Sequence, residues 1–138
     1  MATIIKEILI DVRPEDAWDA LKDFGALHTR LAKGFVTACT MDGDTRVITF
    51  ANGMTVREPL VGIDEKARRL AYTAEGGRTT HYNASAQVFA EGKGRTRFVW
   101  TIDLLPNEAA GPVGAMVEMG ANAIKQTLEG PAKDTRST

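Results

Sequence analysis

The sequence predicts an α+β fold. A curved antiparallel sheet of seven strands is joined by two short helices after the first strand and one long C-terminal helix. Three observations carry this prediction. Apolar and polar residues alternate with a period of two from about residue 35 to residue 105. Short turn signals interrupt that alternation: Asp42-Gly43-Asp44, Asn52-Gly53, Asp64-Glu65-Lys66, Gly76-Gly77 and Glu91-Gly92-Lys93-Gly94. After Gly111-Pro112 the period changes, and Val113, Met116, Val117, Gly120, Ile124 and Leu128 recur at helical spacing.

Residues 3–10 are rich in β-branched side chains and read as the first strand. Pro14 follows, with Glu15 and Asp16 after it, which is the signature of a helix start. Ala17, Trp18 and Leu21 give that helix an apolar stripe. Asp23-Phe24-Gly25 breaks it, and residues 26–32 read as a second short helix closed by Gly34. Six strands are expected at 35–41, 45–50, 54–63, 68–74, 81–90 and 95–105. Turns this short connect sequential strands as an antiparallel meander. Asn107 is placed to cap a turn, and Pro112 suits the first position of the long helix. Gly130-Pro131 ends it, so residues 1–130 are expected to form one domain and 131–138 a frayed tail. Gly114, Ala115, Gly120 and Ala121 make part of the helix surface small. Such a surface means either close packing on the sheet or room left for something else.

Composition limits the function. The 138 residues carry 17 basic and 18 acidic side chains, a net charge of −1. That balance gives no general attraction to nucleic acid or to an anionic membrane. No apolar run is long enough to span a bilayer. The first eleven residues read as a strand rather than a signal peptide. The single cysteine, Cys39, excludes an internal disulfide, so the expectation is a cytoplasmic protein. Two histidines and one cysteine, far apart, give no metal-site spacing, and no cofactor is expected. Cys39 reads as a small buried hydrophobe, and Gly92-Lys93-Gly94 precedes a strand, so it is a turn and not a phosphate loop.

The stretch around Asn52-Gly53 is the most informative. With a two-residue loop, Ile48 and Phe50 would share a face with Thr55 and Arg57. With Ala51-Asn52-Gly53 as the loop and Gly53 left-handed, Phe50 opposes Met54 and Ile48 opposes Val56. The second register puts apolar residues of both strands on one side, and burial sets register. It also sets Arg46 directly opposite Glu58 on the apolar side. A lone buried charge is costly, whereas a pair is tolerated. Two readings stay open: a polar pair inside a cavity, or a half-solvated pair at the end of the sheet. Leu70 and Tyr72, Tyr82 to Val88, and Phe98 to Leu104 alternate in the same way. Ala84 and Ala86 are small where a filled core would have larger residues. An apolar cavity with few polar groups fits that set.

The segments Val12-Arg13-Pro14-Glu15-Asp16-Ala17-Trp18, Asp23-Phe24-Gly25, Val56-Arg57-Glu58-Pro59-Leu60, Arg69-Leu70-Ala71-Tyr72 and Phe98-Val99-Trp100 carry a resemblance, as do Thr45 to Phe50 and the Asn52-Gly53 turn. In that order they resemble the START-like superfamily, the polyketide cyclase/dehydrase and lipid-transport group. The resemblance runs from about residue 3 to residue 129 and implies a helix-grip fold, in which the sheet grips the long helix around a deep apolar cavity. It implies a small hydrophobic ligand, with enzymes on polyketides as the other activity in the group. It supplies no shared catalytic motif, and fold alone does not select a function.

The expected ligand-binding residues are therefore Arg46, Glu58, Ile48, Val56, Tyr72, Tyr82, Ala84, Trp100, Met116 and Gly120. In a binding or transport protein, Arg46 would anchor a ligand oxygen and Glu58 would hold the arginine. In an enzyme, Arg46 would polarise a carbonyl while Glu58, Tyr72 or His28 moved protons. Beside an arginine, Glu58 is expected to stay ionised and act as a base. His28 is either a surface residue or a group at the cavity mouth, and His81 sits among polar residues facing solvent. A protein-interaction module is the third reading, and a homodimer is left open.

Overall fold

The computed structural model describes residues 1–130, and the expected tail at 131–138 lies outside the described residues. Strand β1 (Ala2–Ile10) is followed by α1 (Pro14–Lys22), and then by β2 (Val36–Asp42), β3 (Thr45–Phe50), β4 (Thr55–Asp64), β5 (Arg69–Thr73), β6 (His81–Ala90), β7 (Thr96–Leu105) and α2 (Ala110–Glu129). The seven strands form one antiparallel sheet in the order β1-β7-β6-β5-β4-β3-β2. The meander is as the turn signals predict, with β1 added beside β7. The expected fold is the observed one, and strand limits differ by a residue or two.

The hairpin register follows the buried face. Arg46 pairs with Glu58 and Ile48 with Val56. The Phe50 N–H donates to the Met54 carbonyl at 2.8 Å, so the loop has three residues. Gly53 turns it at φ +91°, a conformation that an L side chain rarely adopts.

Two local expectations are corrected. Residues 26–32 are not a regular helix: a 3-10 turn (Phe24–Ala26) leads into a π turn (Leu27–Leu31). The turn is closed by the Ala32 N–H on the Leu27 carbonyl at 2.8 Å. No side chain caps either turn, so nothing local favours α geometry. At the other end, Asn107 does not cap. Residues Asn107–Ala109 make a 3-10 turn that runs into α2 from Ala110, and Pro112 is the third residue of that helix. The position is harmless, because the first-turn N–H groups have no intrahelical acceptor to lose.

Helix α2 crosses the concave face. Near its C-terminal end, Lys125 donates to the Leu9 carbonyl at 2.9 Å, and the Glu129 carboxylate accepts from the Asp11 N–H at 3.0 Å. Further toward its middle, Lys6 pairs with Glu118 at 2.9 Å. Val117, Gly120, Ala121 and Ile124 are its buried residues, while Val113, Met116 and Leu128 of the expected stripe are half-buried. A Cβ on Gly120 would lie 3.1 Å from Phe35 and 3.2 Å from Trp100, so this glycine lets the helix sit directly on both rings. Beneath it, Phe98, Ile102, Leu104, Leu70 and Ile48 are at most 1% exposed.

Candidate functional site: an apolar cavity over a buried ion pair

Not all the space between α2 and the sheet is filled by side chains. A cavity of about 290 Å³ lies there. Its walls are mostly apolar: Ile48, Val56 and Phe98 from the sheet, Leu27 and Leu31 from the π turn, and Met116 from α2. The lining runs from fully buried residues to exposed ones. Asn52, the β5–β6 loop at Gly76–Arg78, and Pro112 are exposed and mark the mouth.

At the buried end lies the pair expected from the register. Arg46 and Glu58 are 4% and 6% exposed, which excludes the half-solvated reading. Arg46 Nε and Nη2 both approach Glu58 Oε1 at 2.7 Å. Nη1 donates to the Phe24 carbonyl at 3.3 Å. The guanidinium stacks 4.0 Å above the Phe24 ring and 5.1 Å from that of Tyr72. Every guanidinium nitrogen is thus engaged, and the ring contacts add cation–π attraction. Burial pushes the Glu58 carboxyl above the usual carboxylate range, and Arg46 offsets this only in part. Complete desolvation thus weighs more on this carboxyl than its one charged partner does.

This shift gives a signed pH dependence. A raised carboxyl favours the protonated form in the folded chain, so its contribution is fully present below the unfolded value of about 4.3 and is lost as pH rises through the folded value. Relative to Glu58→Gln, the native chain is expected to lose stability as pH rises through that window. Urea unfolding of both chains between about pH 4 and pH 8 measures it. A difference that stays flat or grows with pH would show that Arg46 governs the carboxyl.

The tyrosines follow from sheet order. Tyr72 on β5 pairs with Ala84 on β6, and Trp100 on β7 pairs with Ala86. Trp100 Nε1 donates to the Tyr72 hydroxyl at 3.1 Å. Since β6 lies between β5 and β7, that bond bridges over β6, and the two alanines give it clearance. Tyr82 lies near enough to Tyr72 for the two phenols to influence each other's proton affinity. Burial, first, and the nearby Glu58 charge hold both phenols above their ordinary value. They stay protonated through the physiological range.

Of the ten expected ligand-binding residues, nine line the cavity: Arg46, Glu58, Ile48, Val56, Tyr72, Tyr82, Trp100, Met116 and Gly120. Ala84 does not. It is 4% exposed and outside the lining, and Ala86 lines the cavity instead. His28 does not line it either. In the π turn its neighbours Leu27 and Leu31 face inward, while His28 is half-buried, with Nδ1 buried and unpartnered in the protein. Burial holds the half-buried Cys39 thiol above its usual value, which makes it a weak nucleophile. The sequence reading missed Phe24, whose ring and carbonyl both meet Arg46, and Arg78 at the mouth. No local signal points to Phe24, because it arrives from a distant turn.

The family described as polyketide cyclase/dehydrase and lipid transport matches residues 1–134. Many solved structures are similar, among them the following three. A protein from Thermobifida fusca shares 28% identity over 91% of each chain, with a TM-score of 0.74. A START superfamily protein from Mycobacterium smegmatis shares 12% identity over 92% of this chain and 97% of its own, with a TM-score of 0.76. The di-domain ARO/CYC BexL from the BE-7585A biosynthetic pathway shares 11% identity over 96% of this chain and 48% of its own, with a TM-score of 0.81. At such identities the last two show the fold alone. No curated protein sequence matches the chain. Among the described residues no helix is long and apolar enough to cross a membrane.

Proposed function

The chain belongs to the polyketide cyclase/dehydrase and lipid transport family, and from that premise we propose that its cavity binds or carries a small, mostly apolar molecule whose neutral polar end rests against the Arg46–Glu58 pair. The observation that carries this reading is a mutually neutralised ion pair at the inner end of an apolar cavity. Such a pair is a poor stabilising device, since an apolar substitute of the same volume often does as well. Its value lies in the polar groups it keeps inside. Arg46 already makes three contacts, two with Glu58 and one with Phe24, so its remaining N–H groups suit a carbonyl or hydroxyl better than a second carboxylate. The protonated phenols of Tyr72 and Tyr82 offer further neutral hydrogen bonds. A cavity of about 290 Å³ is about twice the ~150 Å³ that accommodates one benzene, so the fit is a molecule of roughly two rings.

Mass spectrometry of the purified protein, native and after organic extraction, tests this reading. The expected result is a stoichiometric apolar compound of that size, lost on Arg46→Ala. A protein that is empty on isolation and takes up no two-ring ketone or alcohol would overturn it. A second reading, an enzyme acting on a carbonyl substrate, is favoured by one feature: Glu58 is a buried carboxyl with a raised proton affinity beside Tyr72. Turnover of the extracted compound, abolished in Glu58→Gln, would separate it from simple carriage.

A further inference from the structure

Three charged side chains line the cavity: Arg46, Glu58 and Arg78. The first two neutralise each other at the inner end, so the lining is left with one net positive charge, and it sits at the mouth. Arg78 is exposed, and among the described residues no carboxylate pairs with it. The nearest acidic residue in sequence, Glu75, is outside the lining; its backbone is fixed to Arg57 by bonds of 2.8 and 3.1 Å. The loop that carries Arg78 is therefore pinned at one end to β4. Its other end is tied by the Thr80 N–H on the Leu105 carbonyl at 2.8 Å. The guanidinium is thus presented at the rim by a short, anchored segment, not by a free tail.

We infer that the ligand is an amphipathic anion of about two-ring size, which enters with its neutral end first and leaves its acidic group at the mouth on Arg78. This rests on the cavity-binding reading above and adds the charge and orientation of the ligand. The electrostatics decide the orientation. At the inner end an added anion would be desolvated beside the Glu58 carboxylate, with Arg46 already engaged, and a buried unpaired charge is the most costly arrangement available. At the mouth a carboxylate keeps most of its hydration and gains a guanidinium that matches it in shape. The chain as a whole has a charge of −1, so a preference for anions would be local to this rim.

Calorimetric titration with 2-naphthylacetic acid and its uncharged amide tests the inference. The two have nearly the same shape and differ in charge at pH 7. The acid is expected to bind about three- to tenfold more tightly than the amide at low salt, a range suited to a partly solvated ion pair. The ratio should shrink toward one at about 0.5 M salt, where the screening length is only a few ångströms. Arg78→Gln should bring the ratio within about twofold of one, and Arg78→Lys should keep part of it. If the amide binds and the native ratio is near one, or the preference survives Arg78→Gln, this inference fails and the cavity reading stands. If neither compound nor naphthalene binds, both fail together.

Discussion

Arg46→Ala is expected to lower the free energy of unfolding by about 3–5 kcal/mol, the range seen when one partner of a buried pair is removed. Three losses combine. The Glu58 carboxylate, 6% exposed, is left without the donors on its Oε1. The Phe24 carbonyl loses its donor, and the rings of Phe24 and Tyr72 lose the plane that packs against both. The variant has a partial escape, because burial already raises the proton affinity of Glu58 and without the arginine that affinity rises further. The loss should therefore be larger at pH 8 than at pH 5. Urea unfolding at both values, with the slope unchanged, measures the difference. The double variant Arg46→Met with Glu58→Leu should recover most of the loss, since it removes both charges and keeps apolar volume. If the single change costs under about 1 kcal/mol, the magnitude typical of solvated pairs, the inner end of the cavity is wet. If the double variant is no better than the single one, packing of the arginine stem is the main term, and the charge argument is wrong.

The position of this pair was legible in the sequence for a definite reason. Only one register of the 45–60 hairpin puts Ile48, Phe50, Met54 and Val56 on the same side, and that register leaves Arg46 no place except opposite Glu58. Periodicity of two, punctuated by glycine turns, likewise carried the meander, and the helical spacing from Val113 to Ile124 carried α2. What the sequence could not supply was anything that depends on elements distant along the chain. Phe24 meets Arg46 across 22 residues and Tyr72 meets Trp100 across 28. Neither contact has a local signal, and neither does the choice of Ala86 over Ala84 as the alanine that borders the cavity. The π turn at Leu27–Leu31 escaped for another reason. Its composition is that of a weak helix, and the wider backbone hydrogen bond that defines it is set by packing. The pull on the Glu58 carboxyl also needed the structure, because pairing was readable and the depth of burial was not.

Ala86→Leu is expected to reduce ligand affinity by at least about thirtyfold while changing stability by less than about 1 kcal/mol. The position distinguishes an open cavity from a well-packed core. Ala86 is 3% exposed and lines the cavity, with Leu70 and Trp100 as its partners on the adjacent strands. In a filled core, three added carbons would force side chains off their rotamers, at a cost of about 1–3 kcal/mol. In an open cavity they enter unoccupied space, gain dispersion contacts and bury apolar surface, so the folded state tolerates them. The ligand then loses that space. Three methylene-sized groups occupy a sizeable share of about 290 Å³, and a two-ring compound no longer fits. The bridge between Tyr72 and Trp100 crosses β6 close by, so the intrinsic fluorescence of Trp100 offers a check that it is undisturbed. Thermal unfolding together with titration by 2-naphthylacetamide gives both quantities from one preparation. Loss of binding with stability retained identifies the space beneath α2 as the ligand's. Loss of stability by 2 kcal/mol or so, the overpacking range, would mean that side chains close the cavity in solution. Undiminished binding would place the ligand elsewhere on the molecule.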